Sequence, residues 1–187
     1  MNIILFGPPG AGKGTQSKYL VNKIQGFQVS TGDMLRNEIE NNSEIGKQII
    51  NDMNNGKFIS DEIVNNLIEN VVSDPKKKDK FIFDGYPRSI SQAKNLELLL
   101  KKLNQTINFI FFLNVSKDTI IKRIEKRKIL EKREDDDLDT ILKRYDTYMK
   151  TTRPVLDFYS QNSNFYEIDG ALKIEQIAAK IDAFLNL

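Results

Sequence analysis

Gly7-Pro8-Pro9-Gly10-Ala11-Gly12-Lys13-Gly14-Thr15 constrains this chain more than any other segment, because it stands between an apolar run, Ile3-Phe6, and the start of a helical pattern at Gln16. A strand that feeds a glycine-rich turn and then a helix has a specific use. The glycines let successive backbone N–H groups turn inward around anionic oxygens, and the helix N-terminus adds partial positive charge. Lys13 brings a full charge to the same place. The generic form of this loop has Ser or Thr directly after the lysine, whereas here Gly14 precedes Thr15. The alternative reading is a glycine turn that merely joins strand to helix.

The remainder of the chain continues the alternation. Short apolar runs at Phe27-Val29, Phe81-Phe83, Phe109-Leu113 and Phe165-Ile168 read as four further strands. Between them, Gln16 to Ile24, Asp61 to Val72, Ser89 to Leu103 and Ile174 to Leu185 repeat apolar residues three and four apart, one buried stripe per helix. Strands alternating with helices predict a parallel sheet covered on both faces. Two segments fit this rhythm poorly: 31–59, helical in pattern but polar and rich in Asn, and 128–137, highly charged. Both read as excursions from the core. Lys76-Lys77-Lys78 follows Asp74-Pro75 and reads as a solvated loop.

Composition removes several function classes. A length of 187 residues fits one compact domain. The absence of Cys and His excludes disulfides, thiolate metal sites, most zinc chemistry and every Ser-His or Cys-His nucleophile arrangement. Lys+Arg 28 against Asp+Glu 26 leaves a net charge of +2, too even to argue for a nucleic-acid partner. The longest apolar stretch, Ile107 to Val115, is interrupted by Asn108 and Asn114 and is far shorter than the roughly 20 residues a membrane span requires. No targeting segment is legible at Met1, so the expectation is a cytoplasmic protein with no membrane partner.

Three motifs in order, the Gly7 to Thr15 loop, Ser30-Thr31-Gly32-Asp33-Met34-Leu35-Arg36 and Asp84-Gly85-Tyr86-Pro87-Arg88, resemble those of the nucleoside-monophosphate kinases, adenylate kinases most closely. The resemblance covers essentially the whole chain. It implies a three-layer α/β fold of the P-loop NTPase type, a five-stranded parallel sheet with helices on both faces and two small mobile excursions. Residues 1–187 would form a single kinase domain, with 30–59 binding the monophosphate and 127–137 forming a short lid. The implied reaction is reversible, Mg-dependent phosphoryl transfer, ATP + AMP = 2 ADP. Substrates would be ATP, AMP and ADP; the protein would be a monomer taking part in nucleotide biosynthesis.

Only seven arginines occur, so their positions are informative: Arg36, Arg88, Arg123, Arg127, Arg133, Arg144 and Arg153. The guanidinium fork binds phosphate bidentately, which Lys cannot reproduce. By the resemblance, Gly10, Ala11, Gly12, Lys13, Gly14 and Thr15 would cradle the ATP phosphates, and Arg127 would hold them. Arg123 would stack on the ATP adenine, with the backbone of Leu172 beside it. Arg36 and Arg88 would hold the AMP phosphate, and Arg133 and Arg144 would close over the transferring group. Arg153 matches no role. AMP would sit among Thr31, Lys57, Phe58, Ile59, Gly85, Tyr86, Pro87 and Gln92.

Asp84 ends an apolar run, at the carboxyl end of a buried strand where ligands bind in open α/β sheets. It would hold Mg²⁺ through water, or else serve as a turn or helix-capping residue. Asp33 is open between the same metal shell and a helix cap. No general base is required, since a nucleoside monophosphate is already largely dianionic at neutral pH. Acceptor identity rests on Thr31 and Gln92. A Gln amide both donates and accepts, which suits the N1/N6 edge of adenine; a solvent-exposed helix position is the alternative for Gln92. A lid of only five residues between Arg127 and Arg133, lacking Cys and His, has no means of holding zinc. Asp135-Asp136-Asp137 reads either as partners in lid pairing or as solvated charge. UMP/CMP kinase, GTP-using AMP kinase and a nucleotide sensor that binds without transfer are the competing readings. The sensor is disfavoured by Arg36 and Arg88.

Overall fold

The computed structural model describes residues 1–77, 80–131 and 138–186. Among these, five strands form one parallel sheet: β1 (Asn2–Phe6), β2 (Phe27–Ser30), β3 (Phe81–Asp84), β4 (Ile107–Asn114) and β5 (Phe165–Asp169), in the order β2-β3-β1-β4-β5. Each strand starts or ends within two residues of the apolar run that predicts it. The helices are α1 (Lys13–Ile24), α2 (Thr31–Glu40), α3 (Glu44–Asn54), α4 (Asp61–Val72), α5 (Ile90–Lys102), α6 (Lys117–Glu131), α7 (Leu138–Thr147), α8 (Arg153–Ser160) and α9 (Ile174–Leu185). A π-helical turn, Tyr148–Thr152, joins α7 to α8.

Strand alternation divides the interior into two cores. Ile4, Phe6, Val29, Phe81, Phe83, Ile110 and Phe112 face the side covered by α2 to α5 and α8. Their neighbours Ile3, Leu5, Ile82, Phe111, Leu113 and Ile168 face α1, α6, α7 and α9. Both faces of β1 are therefore dry, and all five of its residues are buried. This explains why the strands read as continuous apolar runs instead of alternating ones.

The polar stretch 31–59 is a pair of crossed helices. Ser30 accepts from the Asp33 N–H at the start of α2, and Ser43 accepts from the Gly46 N–H at the start of α3. The crossing depends on Gly46, where a Cβ would lie 2.1 Å from the Glu38 carbonyl oxygen. Of the other segment, residues 128–131 continue α6, whose charged sequence still forms a helix, and 132–137 lie outside the described residues. No described helix is long and apolar enough to cross a membrane.

Candidate active site

The carboxyl ends of β1, β2 and β3 open on one cavity of about 950 Å³, lined at its floor by Phe6, Ser30 and Asp84. The sheet order places β1 between β3 and β4, and the crevice at such a reversal is where parallel sheets bind ligands. Gly10, Ala11, Gly12, Lys13, Gly14 and Thr15 line one end of the cavity, with Arg123 and Leu172. Thr31, Arg36, Lys57, Phe58, Ile59, Gly85, Pro87, Arg88, Gln92 and Arg144 also line it. Nearly all the residues singled out in the sequence thus share one space.

Local chemistry sets each position. Gly10 and Gly12 have φ of +80° and +96°, a left-handed backbone that only glycine adopts without strain, and α1 starts directly after Gly12. The Lys13 ammonium donates to the carbonyls of Gly7 (2.7 Å) and Pro8 (3.1 Å), so the loop holds its own cation in place. Arg123 donates from Nη1 to the Ala11 carbonyl at 3.2 Å, tying α6 to the loop.

Opposite, Arg88 donates from Nε to the Gly85 carbonyl (2.7 Å) and from Nη2 to Thr31 Oγ1 (3.3 Å), and its guanidinium lies 5.0 Å from the Phe58 ring centroid. Thr152, in the π turn, donates to the Arg88 carbonyl at 3.1 Å. Burial, with the charges of Arg144 and Arg36 adding to it, pushes the Arg88 pKa down to about 10, partly offset by Asp84. The guanidinium is thus held chiefly out of water, with two further cations adding to the cost. An arriving dianion relieves it.

Gln92 is only 3% exposed, which removes the solvent-exposed alternative. Its Oε1 accepts from the Arg88 N–H at 2.7 Å, and its Nε2 donates to Asp61 Oδ1 at 2.7 Å. Among the described acceptor-side residues Tyr86 alone turns away: its side chain is 1% exposed, and its one hydroxyl proton is shared between Asn65 Oδ1 at 2.8 Å and the Gln92 carbonyl at 3.2 Å. Asp33 pairs with Arg36, while Ser30 provides the cap of α2. Arg127 belongs to α6, but its side chain lies outside what is described; Arg133 and Asp135-Asp136-Asp137 lie outside the described residues altogether. Arg153 sits 5.8 Å from the Phe112 ring centroid, away from the cavity lining.

Asp84 is buried beside the lysine. Burial foremost, with the charge of Asp33, raises its carboxyl pKa above the usual range; Lys13 leads the opposing influences, followed by Arg88 and a hydrogen bond from Gln28 Nε2 (3.3 Å). Asp84 lines the cavity, and a Cβ on Gly14 would stand at van der Waals distance, 3.6 Å, from its Oδ2, so the loop passes close to the carboxylate. A largely buried carboxylate that lines the cavity next to a phosphate cradle fits a magnesium ion that retains its waters.

Asp61, Gln28 and Thr152 bear on the site through hydrogen bonds to Gln92, Asp84 and Arg88 without any sign of it in the sequence. Asp61 follows a Ser cap in the first turn of a helix and so reads as an ordinary helix-end charge; Gln28 and Thr152 carry no local signal at all.

The family model described as adenylate kinase matches residues 5–164. A relative named adenylate kinase from Pelagibacter ubique (strain HTCC1062) is 49% identical, with all of both chains covered. One of the same name from Mycoplasma capricolum subsp. capricolum is 38% identical, again over all of both. Another, from Caulobacter sp. (strain K31), is 40% identical over all of this chain and 99% of its own. The first two alignments run to 213 and 215 positions, so those relatives carry sequence this chain lacks, whereas the Caulobacter alignment runs to 187.

Proposed function

Because the chain belongs to the adenylate kinase family and transfers a phosphoryl group between ATP and AMP, we propose that Lys13 and the Gly10 to Thr15 backbone hold the donor phosphates while Arg36, Arg88 and Arg144 hold and orient the AMP phosphate. The observation that carries this assignment is that Arg36, Arg88 and Arg144 line the same cavity as Lys13 and its glycine loop. Two polyanions repel, and a cluster of fixed donors offsets that repulsion and stabilises charge on the transferring group. The AMP phosphate oxygen attacks without a base, being already deprotonated at neutral pH. Arg123 stacks on the donor adenine near the Leu172 backbone, and Arg127 and Arg133 approach the phosphates from a short lid spanning 127–137 that excludes water.

Thr31, Gln92 and the backbone of Lys57, Phe58 and Ile59 form the acceptor-base pocket, set by the excursion 30–59, with Gly85, Tyr86 and Pro87 contributing main chain from the loop after β3. Asp84 would hold Mg²⁺ through water, and the ion would supply charge neutralisation on the donor phosphate oxygens. A cytoplasmic monomer acting in nucleotide biosynthesis, without nucleic-acid or membrane partners, is the setting this reading supposes.

The test is diphosphate formation from Mg-ATP with each monophosphate in turn. AMP should far exceed UMP, CMP and GMP, and equal use of UMP would overturn the roles given to Thr31 and Gln92. Lys13→Ala and Arg88→Ala should each lower kcat/KM by about 10²-fold or more while the fold survives.

A further inference from the structure

A glutamine that reads a purine has one weakness: its amide is nearly isosteric under a 180° flip, and the flip exchanges donor for acceptor. Adenine presents an acceptor at N1 and a donor at the 6-amino group. A 6-oxo purine presents the reverse. Gln92 free to flip would therefore fit both kinds of monophosphate.

The surroundings of Gln92 forbid the flip. The Arg88 N–H donates to Oε1 at 2.7 Å, which fixes that end as the acceptor, and Nε2 donates to Asp61 Oδ1 at 2.7 Å, which fixes the other end as the donor. Turning the amide over would set an N–H against an N–H and a carbonyl against a carboxylate, losing both bonds for two repulsions. Asp61 is itself pinned, since its Oδ2 accepts from the Ser89 hydroxyl at 2.8 Å, and that hydroxyl in turn accepts from the Gln92 N–H at 3.1 Å. One turn further along α4, Asn65 accepts from the Tyr86 hydroxyl at 2.8 Å, which anchors the helix that carries Asp61. Each end of the amide retains one unused valence for a base: the second N–H of Nε2 and the second lone pair of Oε1.

We propose that Asp61 is a positioning residue that locks the Gln92 amide in the orientation selecting a 6-amino over a 6-oxo purine monophosphate. The proposal rests on the reading of Gln92 as a contact to the acceptor base. Inosine monophosphate is the cleanest probe, because it differs from AMP only on the N1/C6 edge.

The experiment measures kcat/KM for AMP and for IMP at fixed Mg-ATP in the wild type, Asp61→Ala, Asp61→Asn, Gln92→Leu and Glu62→Gln, with Tm recorded for each. An Asn at position 61 keeps the shape and can itself turn its amide, so it permits the flip. The AMP/IMP ratio is expected to fall at least about tenfold in both Asp61 variants and in Gln92→Leu. It should stay at the wild-type value in Glu62→Gln, which removes a charge from the same exposed helix turn. A fall in the ratio for Gln92→Leu with no change in Asp61→Asn would overturn the lock while leaving Gln92 as a base contact. An unchanged ratio in all variants would overturn the Gln92 reading and the lock with it. Equal losses for AMP and IMP in the Asp61 variants would reduce Asp61 to a structural role and also overturn the proposal. If Asp61→Ala fails to fold, Asp61→Asn decides.

Discussion

Asp84 shows how function and stability oppose each other within one side chain. Its carboxyl pKa is raised, chiefly by burial, so the folded chain retains a proton at pH values where the unfolded chain has released it. Stability must then fall as pH rises from the ordinary carboxylate value through the raised one, and at neutral pH the ionised group is a cost. Asp84→Asn keeps the size and the contact near Gln28 while removing that charge. The variant's Tm without nucleotide should equal or exceed the wild type's at pH 7, with a flatter pH profile on the acid side, whereas Mg-dependent transfer should drop by about 10²-fold. Melting curves from pH 4 to 8 check the first part, and a neutral-pH Tm below the wild type's would show that Asp84 is net stabilising. Arg88 is the counterpart with the opposite charge: burial first, and the nearby Arg144 and Arg36 charges after it, lower its pKa to about 10, a cost that a phosphate dianion offsets.

Among the elements, α2 and α3 depend on a contact only glycine permits. With a Cβ 2.1 Å from the Glu38 carbonyl, Gly46→Ala forces the two helices apart. Overpacking of this kind costs about 1–3 kcal/mol, or about 2–4 °C of Tm per kcal/mol in a chain of this size. Since α2 carries Thr31 and Arg36, KM for AMP should rise more than KM for ATP, and equal rises would mean that the crossing does not shape the acceptor side. That crossing also illustrates what sequence patterns miss. The limits of α4 and α9, Asp61–Val72 and Ile174–Leu185, coincide with their apolar periods because each buries a clean stripe against the sheet. Residues 138–160 had no legible element, since α7 and α8 meet through a π turn that breaks the 3.6-residue period. At the site, glycines and arginines declared themselves by type and spacing. Asp61, Gln28 and Thr152 did not, because each works through a partner 31, 56 or 64 residues away, and single-residue chemistry carries no trace of that pairing.

For the molecule as a whole, the decisive feature is that both cores share β1, β3 and β4. Ile4 and Phe83 belong to one core, Ile3 and Ile82 to the other, and consecutive residues of a single strand connect them. Neither core can lose its strands without exposing the other, so unfolding should be one cooperative event. Acceptor-side residues lie mainly against the first core, among them Thr31, Arg88 and Gln92, yet stabilisation by AMP should spread through the sheet. At a free AMP concentration about 100 times Kd, linkage adds about 2.7 kcal/mol, which corresponds to a Tm rise of about 5–11 °C at the same conversion of 2–4 °C per kcal/mol. Tyr86 and Tyr159 report the first core, and Tyr145 and Tyr166 pack against the second. Single-tyrosine reporters on each side, followed with far-UV circular dichroism, should therefore melt together and shift together when AMP is added. If AMP raised the midpoint on one face alone, the two cores would be separate folding units, and the shared strands would transmit nothing between the donor and acceptor sides of the cavity.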